Sequence, residues 1–496
     1  MYRVYIKYTS SFHLLFILIF LWLTRIPQCV SPYLFLDGDE AILGLMAKHF
    51  IEYGELSLYF WGQQYGFSAI ETSCIALFYW IRGIDAWSVK FAMLSLWSIG
   101  IVFFYLTIED WLKERKIVAL LIILLFICAP FWGIWSMKAR GGYVTAFVLL
   151  SIILYILRDP TKHLRSFQIG LLSFFCVLCF HAQPLFLIGI LPLLLFVFSR
   201  KSNLMGSLIF LGTAIGFQLL LITYQSQQPN FWMPGTFSLN AFSFRRLLDL
   251  PNFLYVAATS HYFYSMIIHP DFATRWVGIG LVSLIPIVCG FAIFTVIRKK
   301  DVLVLILLMA ICFTIGYLFF LSEWAHRYIL PLWIWLFILT ARMMGIWRLH
   351  KRITIIIILL LLVIFLLPSV YGLRHYRSNW MPIVHSEEKD IQSVINILLS
   401  RNVSHVFCLD PLLQWQLMFY SNENLICRYI SSTDRRMSYV QNVNNIHTSD
   451  INKTAVVGYN VGPDYRLDIS RQEQINKYYF ILHPTKEELK IMGFEF

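Results

Sequence analysis

Three carboxylates fall within four residues at Asp37-Gly38-Asp39-Glu40. Like charges this close repel, and such a cluster persists where a cation, a proton transfer or a metal makes use of it. Tyr59-Phe60-Trp61-Gly62-Gln63-Gln64-Tyr65-Gly66 follows, rich in the aromatics and amides that suit both a sugar-binding surface and a membrane interface belt. Glu71 heads the next helical stretch. Lys138, Arg140, Gly141, Gly142 and Tyr143 form a tight cationic turn, suited to a phosphate because backbone comes close and two cations flank it. His181-Ala182-Gln183-Pro184 and Glu323-Trp324-Ala325-His326-Arg327-Tyr328 place further ionisable groups in two other short turns. Chemistry that fits the set is transfer from a lipid-phosphate donor. A carboxylate takes the acceptor's proton and cations hold a phosphate leaving group whose charge grows in the transition state. That leaving group needs little protonation, so one base and one clamp suffice where hydrolases use two carboxylates.

The elements that must position these residues are apolar. Of 496 residues, 58% are hydrophobic, 17% aromatic and only 14% charged, well below the charge of a soluble domain. Mean hydropathy is +0.66. Runs long enough to span a bilayer lie near 11–30, 88–108, 117–135, 141–157, 167–181, 184–199, 204–224, 276–297, 302–321, 328–347 and 353–371, about eleven in all. The expected fold is mainly α: a polytopic helical bundle over residues 1–371, followed at 372–496 by a small appended α/β domain. In that tail Val403 to Cys408 and Ala455 to Gly458 read as strands. Helices are expected over Ala41–Tyr53 and from Glu71 to about Trp80, both lying along the membrane surface.

The formal charge of +12 does not point to nucleic acid. Its cations gather in short gaps between apolar runs, at Lys113, Arg115 and Lys116, at Arg158, Lys162 and Arg165, at Arg200 and Lys201, at Arg298, Lys299 and Lys300, and at Arg342, Arg348, Lys351 and Arg352. That is the positive-inside pattern. It puts the segments 31–87, 225–275 and everything after 372 on the outer face. Seven of the 15 acids before residue 372 fall between Asp37 and Asp85, in the first outer loop. The first apolar stretch lacks a small-residue cleavage site and reads as a retained helix. The nine cysteines show no metal spacing; Cys176 and Cys179 sit inside an apolar run and read as helix packing. Two glycosylation sequons, at Asn402 and Asn452, carry little information, and no internal repeat is visible.

Asp37-Gly38-Asp39-Glu40-Ala41, the 59–66 run with Glu71, Arg140-Gly141-Gly142-Tyr143 and Arg327-Tyr328-Ile329-Leu330-Pro331-Leu332 together resemble the polytopic GT-C glycosyltransferases. The likeness is greatest to bacterial members akin to protein mannosyltransferases and the aminoarabinose transferase, and it covers the membrane body. The resemblance implies an inverting transfer of a sugar from a polyprenyl-phosphate donor to a lipid, glycan or protein acceptor at the extracytoplasmic face of a bacterial membrane. Carried over, Asp39 is the candidate base and Glu40 a positioning or acceptor-binding group, while Asp37, two residues earlier, leaves the choice of base open. Lys138, Arg140 and Arg327 would meet the donor phosphate. Tyr65, Gln63, Tyr143 and His326 join Glu71 as candidate substrate contacts. In some relatives the acid at Glu71 assists a metal, so a divalent ion there stays open, and no other cofactor is implied. The Lys-Pro pair that relatives often carry ahead of the second helix is absent, so donor and acceptor class are not carried over. The tail, with Gln414-Trp415-Gln416 and Phe419 to Glu423, is assigned acceptor selection or structural support without preference.

Two other readings compete. An oligosaccharide ligase or polymerase would rest on Arg and His in a late outer loop, here Arg245, Arg246, His261, His269 and Arg275. The acid cluster argues against it. A lipid or glycan transporter would carry ionisable groups at mid-membrane, whereas Leu120–Phe126 and Ile355–Phe365 are bare of charge.

Overall fold

The structure is a computed structural model that describes residues 2–29, 35–112, 115–159, 164–199, 204–225, 238–258, 272–347, 352, 354–364, 366, 381–430, 434–459, 471–475 and 478–496. Ten helices and helix pairs follow the first ten expected spans: α1 (Tyr2–Cys29), then, after two short-loop helices, α4 (Ala86–Leu112), α5 with α6 (Lys116–Cys128, Pro130–Trp135), α7 (Tyr143–Ile156), α8 (Ser166–Ala182), α9 with α10 (Pro184–Ile188, Leu191–Phe198), α11 (Leu204–Gln225), α13 (Phe272–Lys299), α14 (Val302–Leu318) and α15 (Leu330–Trp347). Thr354–Ile364 (α16) is the described part of the eleventh. A further helix, α12 (Phe244–Ala258), lies in the segment before α13. Among the described residues, four helices are long and apolar enough to cross a membrane: Ala86–Leu112, Met205–Gln225, Gly278–Lys299 and His326–Trp347. Leu208, Leu211, Ile215, Leu219 and Leu220 of α11 are exposed, the arrangement expected of a helix whose outer side is solvated by lipid.

Two expected spans are broken. The 117–135 run divides at Ala129, held extended at φ −65° and ψ 130° because it precedes Pro130. The 184–199 run divides at Gly189 and Ile190, and its two pieces each have Pro in the first turn. Helices α4, α5, α6 and α7 close on an aromatic core in which the ring centres of Phe126 and Phe104 lie 4.9 Å apart, and those of Trp132 and Phe147 4.9 Å apart.

The first loop folds into α2 (Gly38–Tyr53) and α3 (Ala69–Arg82). Asp37 caps α2: its carboxylate accepts from the Glu40 N–H at 3.0 Å while Glu40 accepts from the Asp37 N–H at 3.3 Å, a capping box. The helix thus begins three residues earlier than expected. It does not lie on a surface with one face free, because every residue from Glu40 to Lys48 is buried. A helix buried all round belongs to a core, and α2 lies between α3 on one side and the C-terminal region on the other.

That region begins with α17 (Met381–Ser400) and continues as β1 (His405–Cys408), α18 (Leu413–Tyr420), β2 (Ile426–Arg428), α19 (Met437–Ser449), β3 (Thr454–Tyr459), β4 (Glu473–Ile475), β5 (Tyr478–Leu482) and α20 (Lys486–Ile491). The sheet runs β2-β1-β3-β5-β4, with β1 parallel to β2 and β3, and β5 antiparallel to β3 and β4. Both strands expected from sequence are present. The expected boundary near 371 lies outside the described residues. Gly38 and Gly62 allow the close approach to the loop helices, since a β-carbon on Gly38 would meet Leu412 at 2.6 Å and one on Gly62 would meet Arg435 at 2.7 Å.

Candidate functional site

The N-terminus of α2 faces the turn that joins α6 to α7. Lys138 Nζ lies 2.6 Å from an Asp37 oxygen and 3.9 Å from Glu40, and Arg140 lies 3.8 Å from Asp37 and 2.9 Å from Asp39. Burial alone would raise the Asp37 carboxyl, yet Lys138 and Arg140 beside it hold it well below the usual carboxylate range. Glu40 is buried against Lys90 of α4, whose ammonium donates to it, and it accepts from the Ala139 N–H at 3.3 Å. Its two oxygens tie α2 to α4 and to the cationic turn, which makes it a brace rather than a group open to an acceptor.

The turn itself is held from below by Glu71. This wholly buried carboxylate accepts from the Gly142 N–H, the Thr145 N–H and the Thr145 hydroxyl, each at 3.3 Å. It therefore closes the open N–H groups at the start of α7, where the helix dipole also favours a negative charge. Burial pushes its carboxyl up to about 7, against the pull of those donors. Gly142 takes φ +87°, and a β-carbon there would meet the Ala182 carbonyl oxygen at 2.9 Å, so the turn requires glycine on both counts. Gln183 donates to the Gly141 carbonyl at 2.8 Å.

Arg327, just ahead of α15, donates through Nε to the Tyr143 hydroxyl at 3.1 Å and lies with its guanidinium 5.0 Å from the Tyr328 ring centre. Among the described residues no carboxylate is paired with it. Arg140 and Asp39 are close enough to influence its charge electrostatically. Tyr65 is half-buried in the same neighbourhood, near Arg435, Tyr143 and Asp39, and burial raises its phenol. The structure thus gathers Asp37, Asp39, Lys138, Arg140, Tyr143, Arg327 and Tyr65. Gln63 is buried in the 60–63 turn and its described contact is the backbone bond to Phe60, not a bond to the carboxylates. His326 stacks on Phe253 of α12 with ring centres 4.9 Å apart, turned to a different neighbour from Arg327.

Two members of the site were not picked out from sequence. Lys90 had a usable signal, a lone cation in the first turn of an apolar span. Arg435 had none. It reaches Asp39 at 3.6 Å from the far end of the chain.

A divalent ion at Glu71 does not fit this arrangement, because both of its oxygens already accept from the start of α7. Among the described residues no group of three or more His, Cys, Asp or Glu is placed to hold a metal. Of the residues a ligase would use, Arg246 is bound to the Phe319, Leu321 and Ser322 carbonyls at the end of α14. His261 and His269 lie outside the described residues.

This whole arrangement, helices and sheet together, superposes on ArnT from Cupriavidus metallidurans in the apo state over 96% of this chain and 98% of that one, with a TM-score of 0.63 at 11% identity. The fold is the GT-C glycosyltransferase fold. ArnT bound to undecaprenyl phosphate matches with a TM-score of 0.58 at 12% identity over 95% of this chain and 98% of that one. The Archaeoglobus fulgidus oligosaccharyltransferase, in a complex with Zn and sulfate, matches with a TM-score of 0.50 at 10% identity over 90% of this chain and 68% of that one. No family model matches the sequence, and no curated protein matches it.

Proposed function

We propose that the chain is an inverting membrane glycosyltransferase that moves a sugar from a polyprenyl-phosphate donor to a hydroxyl on a lipid, glycan or protein acceptor. The observation that carries this reading is Arg327, a guanidinium without a carboxylate partner among the described residues, set beside the Asp39–Arg140 pair. A cation in that position, next to another guanidinium, is stabilised by an incoming anion. The fold shared with ArnT supports a phosphate on a polyprenyl chain as that anion, since one of the matched ArnT structures holds undecaprenyl phosphate.

In the proposed step Asp39 accepts the proton of the acceptor hydroxyl as its oxygen forms a bond to the anomeric carbon. The bond from that carbon to the phosphate oxygen breaks on the opposite side, and its electron pair leaves with the phosphate. The products are the glycosylated acceptor and polyprenyl phosphate, with the proton on Asp39. Lys138, Arg140 and Arg327 stabilise the growing phosphate charge, while Tyr143 and Tyr65 border the sugar.

The site is assigned to the extracytoplasmic face. α4 runs from Lys90 at the site to Glu109 and Asp110 at its other end, where Lys116 and Arg158 pair with them at 3.0 and 2.7 Å. These cations belong to the gaps that the positive-inside rule puts in the cytoplasm. On this reading residues 372–496 form an extracytoplasmic domain that covers the site.

The test is transfer from a panel of radiolabelled polyprenyl-phosphate sugars by the purified protein in detergent, with a membrane extract as acceptor and Asp39→Asn as control. Label that moves to product with the native chain and not with the variant supports the reading and names the sugar. Failure of folded protein to transfer from any donor overturns it.

A further inference from the structure

Each oxygen of Asp39 faces a different guanidinium: Arg140 lies 2.9 Å from one and Arg435 3.6 Å from the other. Arg140 is carried by the membrane bundle and Arg435 by the C-terminal sheet unit. A carboxylate engaged on both oxygens is a poor proton acceptor until one partner lets go. Only Arg140 has another anion to turn to when a donor phosphate arrives, because Lys138, Tyr143 and Arg327 stand on its side. Arg435 is held where it is. Its guanidinium lies 5.0 Å from the Phe60 ring centre and donates to the Trp61 carbonyl at 3.3 Å.

Its neighbour Asp434 is anchored to backbone on both sides. Asp434 is buried and accepts from the Tyr429 N–H at 2.8 Å and the Arg436 N–H at 3.1 Å. The loop that carries Arg435 leaves the carboxyl end of β2, and Leu412, beyond the carboxyl end of β1, packs on Gly38. Gln416 of α18 donates to the Leu36 carbonyl at 3.0 Å and accepts from the Tyr459 hydroxyl at the end of β3. All three parallel strands thus turn their carboxyl ends to Asp37 and Asp39. In α/β sheets that edge, where the strand order reverses about the first strand, is where ligands bind.

We propose that Arg435 is a positioning residue for the transfer: once the donor phosphate has drawn Arg140 away, it alone orients the Asp39 carboxylate toward the acceptor hydroxyl, so the active site is shared between bundle and sheet unit. The inference rests on the glycosyltransferase reading given above. Displacement of a reacting group by about 1 Å costs on the order of 10²-fold in rate.

The experiment compares the native chain with Arg435→Ala, Arg435→Lys and Asp39→Asn for binding of undecaprenyl phosphate and for kcat with the sugar donor found active. Expected are a Kd for undecaprenyl phosphate unchanged within about twofold in Arg435→Ala, a kcat lower on the order of 10²-fold, and partial recovery in Arg435→Lys. Guanidinium ion at low concentration should restore turnover to Arg435→Ala and not to Asp39→Asn. Native kcat in Arg435→Ala overturns the inference, as does a loss confined to donor affinity. A loss in all Arg435 variants that tracks a fallen melting temperature and that guanidinium does not relieve also overturns it, by showing a merely structural role. If the native chain transfers no sugar, the underlying reading fails; if it does, and Asp39→Asn loses transfer while Arg435→Ala keeps the native kcat, the inference alone fails.

Discussion

The partners of the neighbouring acids divide their tasks. Asp37 is committed to the cap of α2 and to Lys138, which holds its carboxyl too acidic to take a proton at neutral pH. Asp39 has no cap to maintain and faces the Arg140 and Arg435 guanidiniums. Asp39→Asn should therefore lower kcat by at least about 10²-fold with undecaprenyl phosphate still bound, as measured by single-turnover transfer and by binding. Asp37→Asn should behave differently: Asn also caps helices, so measurable turnover should remain, while loss of the carboxylate beside Lys138 and Arg140 should cost about 1–3 kcal/mol of stability. Arg140→Ala should weaken undecaprenyl phosphate binding about tenfold, a loss of about 1.4 kcal/mol that calorimetry in detergent would read.

At the scale of elements the cationic turn is a helix start held by one acid. Glu71 titrates near 7 when folded against an ordinary value of 4.5, so between those values the folded chain holds the proton and the unfolded chain does not. The stability it contributes is full below pH 4.5 and falls as the pH rises through about 7. Melting temperature in detergent should accordingly drop between pH 5 and pH 8, and Glu71→Gln should flatten that drop. A native-like slope in the Gln variant would remove Glu71 as its source. At the same turn, the positive φ of Gly142 and the nearby Ala182 carbonyl make Gly142→Ala costly, by about 1–3 kcal/mol for the backbone alone.

Across the whole molecule, Glu423 joins the sheet unit to the first loop. It lies 2.6 Å from Lys48 and 2.9 Å from His49, both of α2, and accepts from the Tyr439 hydroxyl at 2.6 Å. Burial would raise its carboxyl, but His49, Lys48 and Tyr439 bring it down to about 2. The stability from this pairing is present above about pH 4.5, the ordinary value, and is lost as the pH falls toward 2. Glu423→Ala takes the shared carboxylate from Lys48, His49 and Tyr439, leaving Lys48 to the Asn422 carbonyl and Glu52, and His49 to Tyr439 and Glu55, and should cost about 1–3 kcal/mol. Limited proteolysis should then cut the chain ahead of the sheet unit faster than in the native protein. Because Arg435 rides on that unit, kcat should fall with docking.

Local chemistry is what the sequence made legible. Apolar runs of spanning length, cations in the gaps between them, an acid cluster at the mouth of the first loop, a glycine pair after Arg140 and short β-like runs in the tail are each set by neighbours along the chain. They led to the helical bundle, the small sheet and the cationic turn, while the grouping of Asp39, Lys138, Arg140 and Arg327 came from the resemblance to the GT-C glycosyltransferases. Even the breaks at Ala129 and Gly189 have local causes in Pro130, Pro184 and Pro192, though an apolar run alone does not reveal them. Tertiary structure decided which partner each charge meets. Nothing near Glu71 in sequence says that both its oxygens close the start of α7, and nothing near Glu40 says that Lys90 lies beneath it. Burial of α2 followed from the sheet unit packing on it, which no periodicity within α2 encodes. Arg435 is the extreme case: an arginine in a polar tail carries no sign of its place, because an ion pair depends on distance in space, and Asp39 and Arg435 meet only after bundle and sheet have both folded.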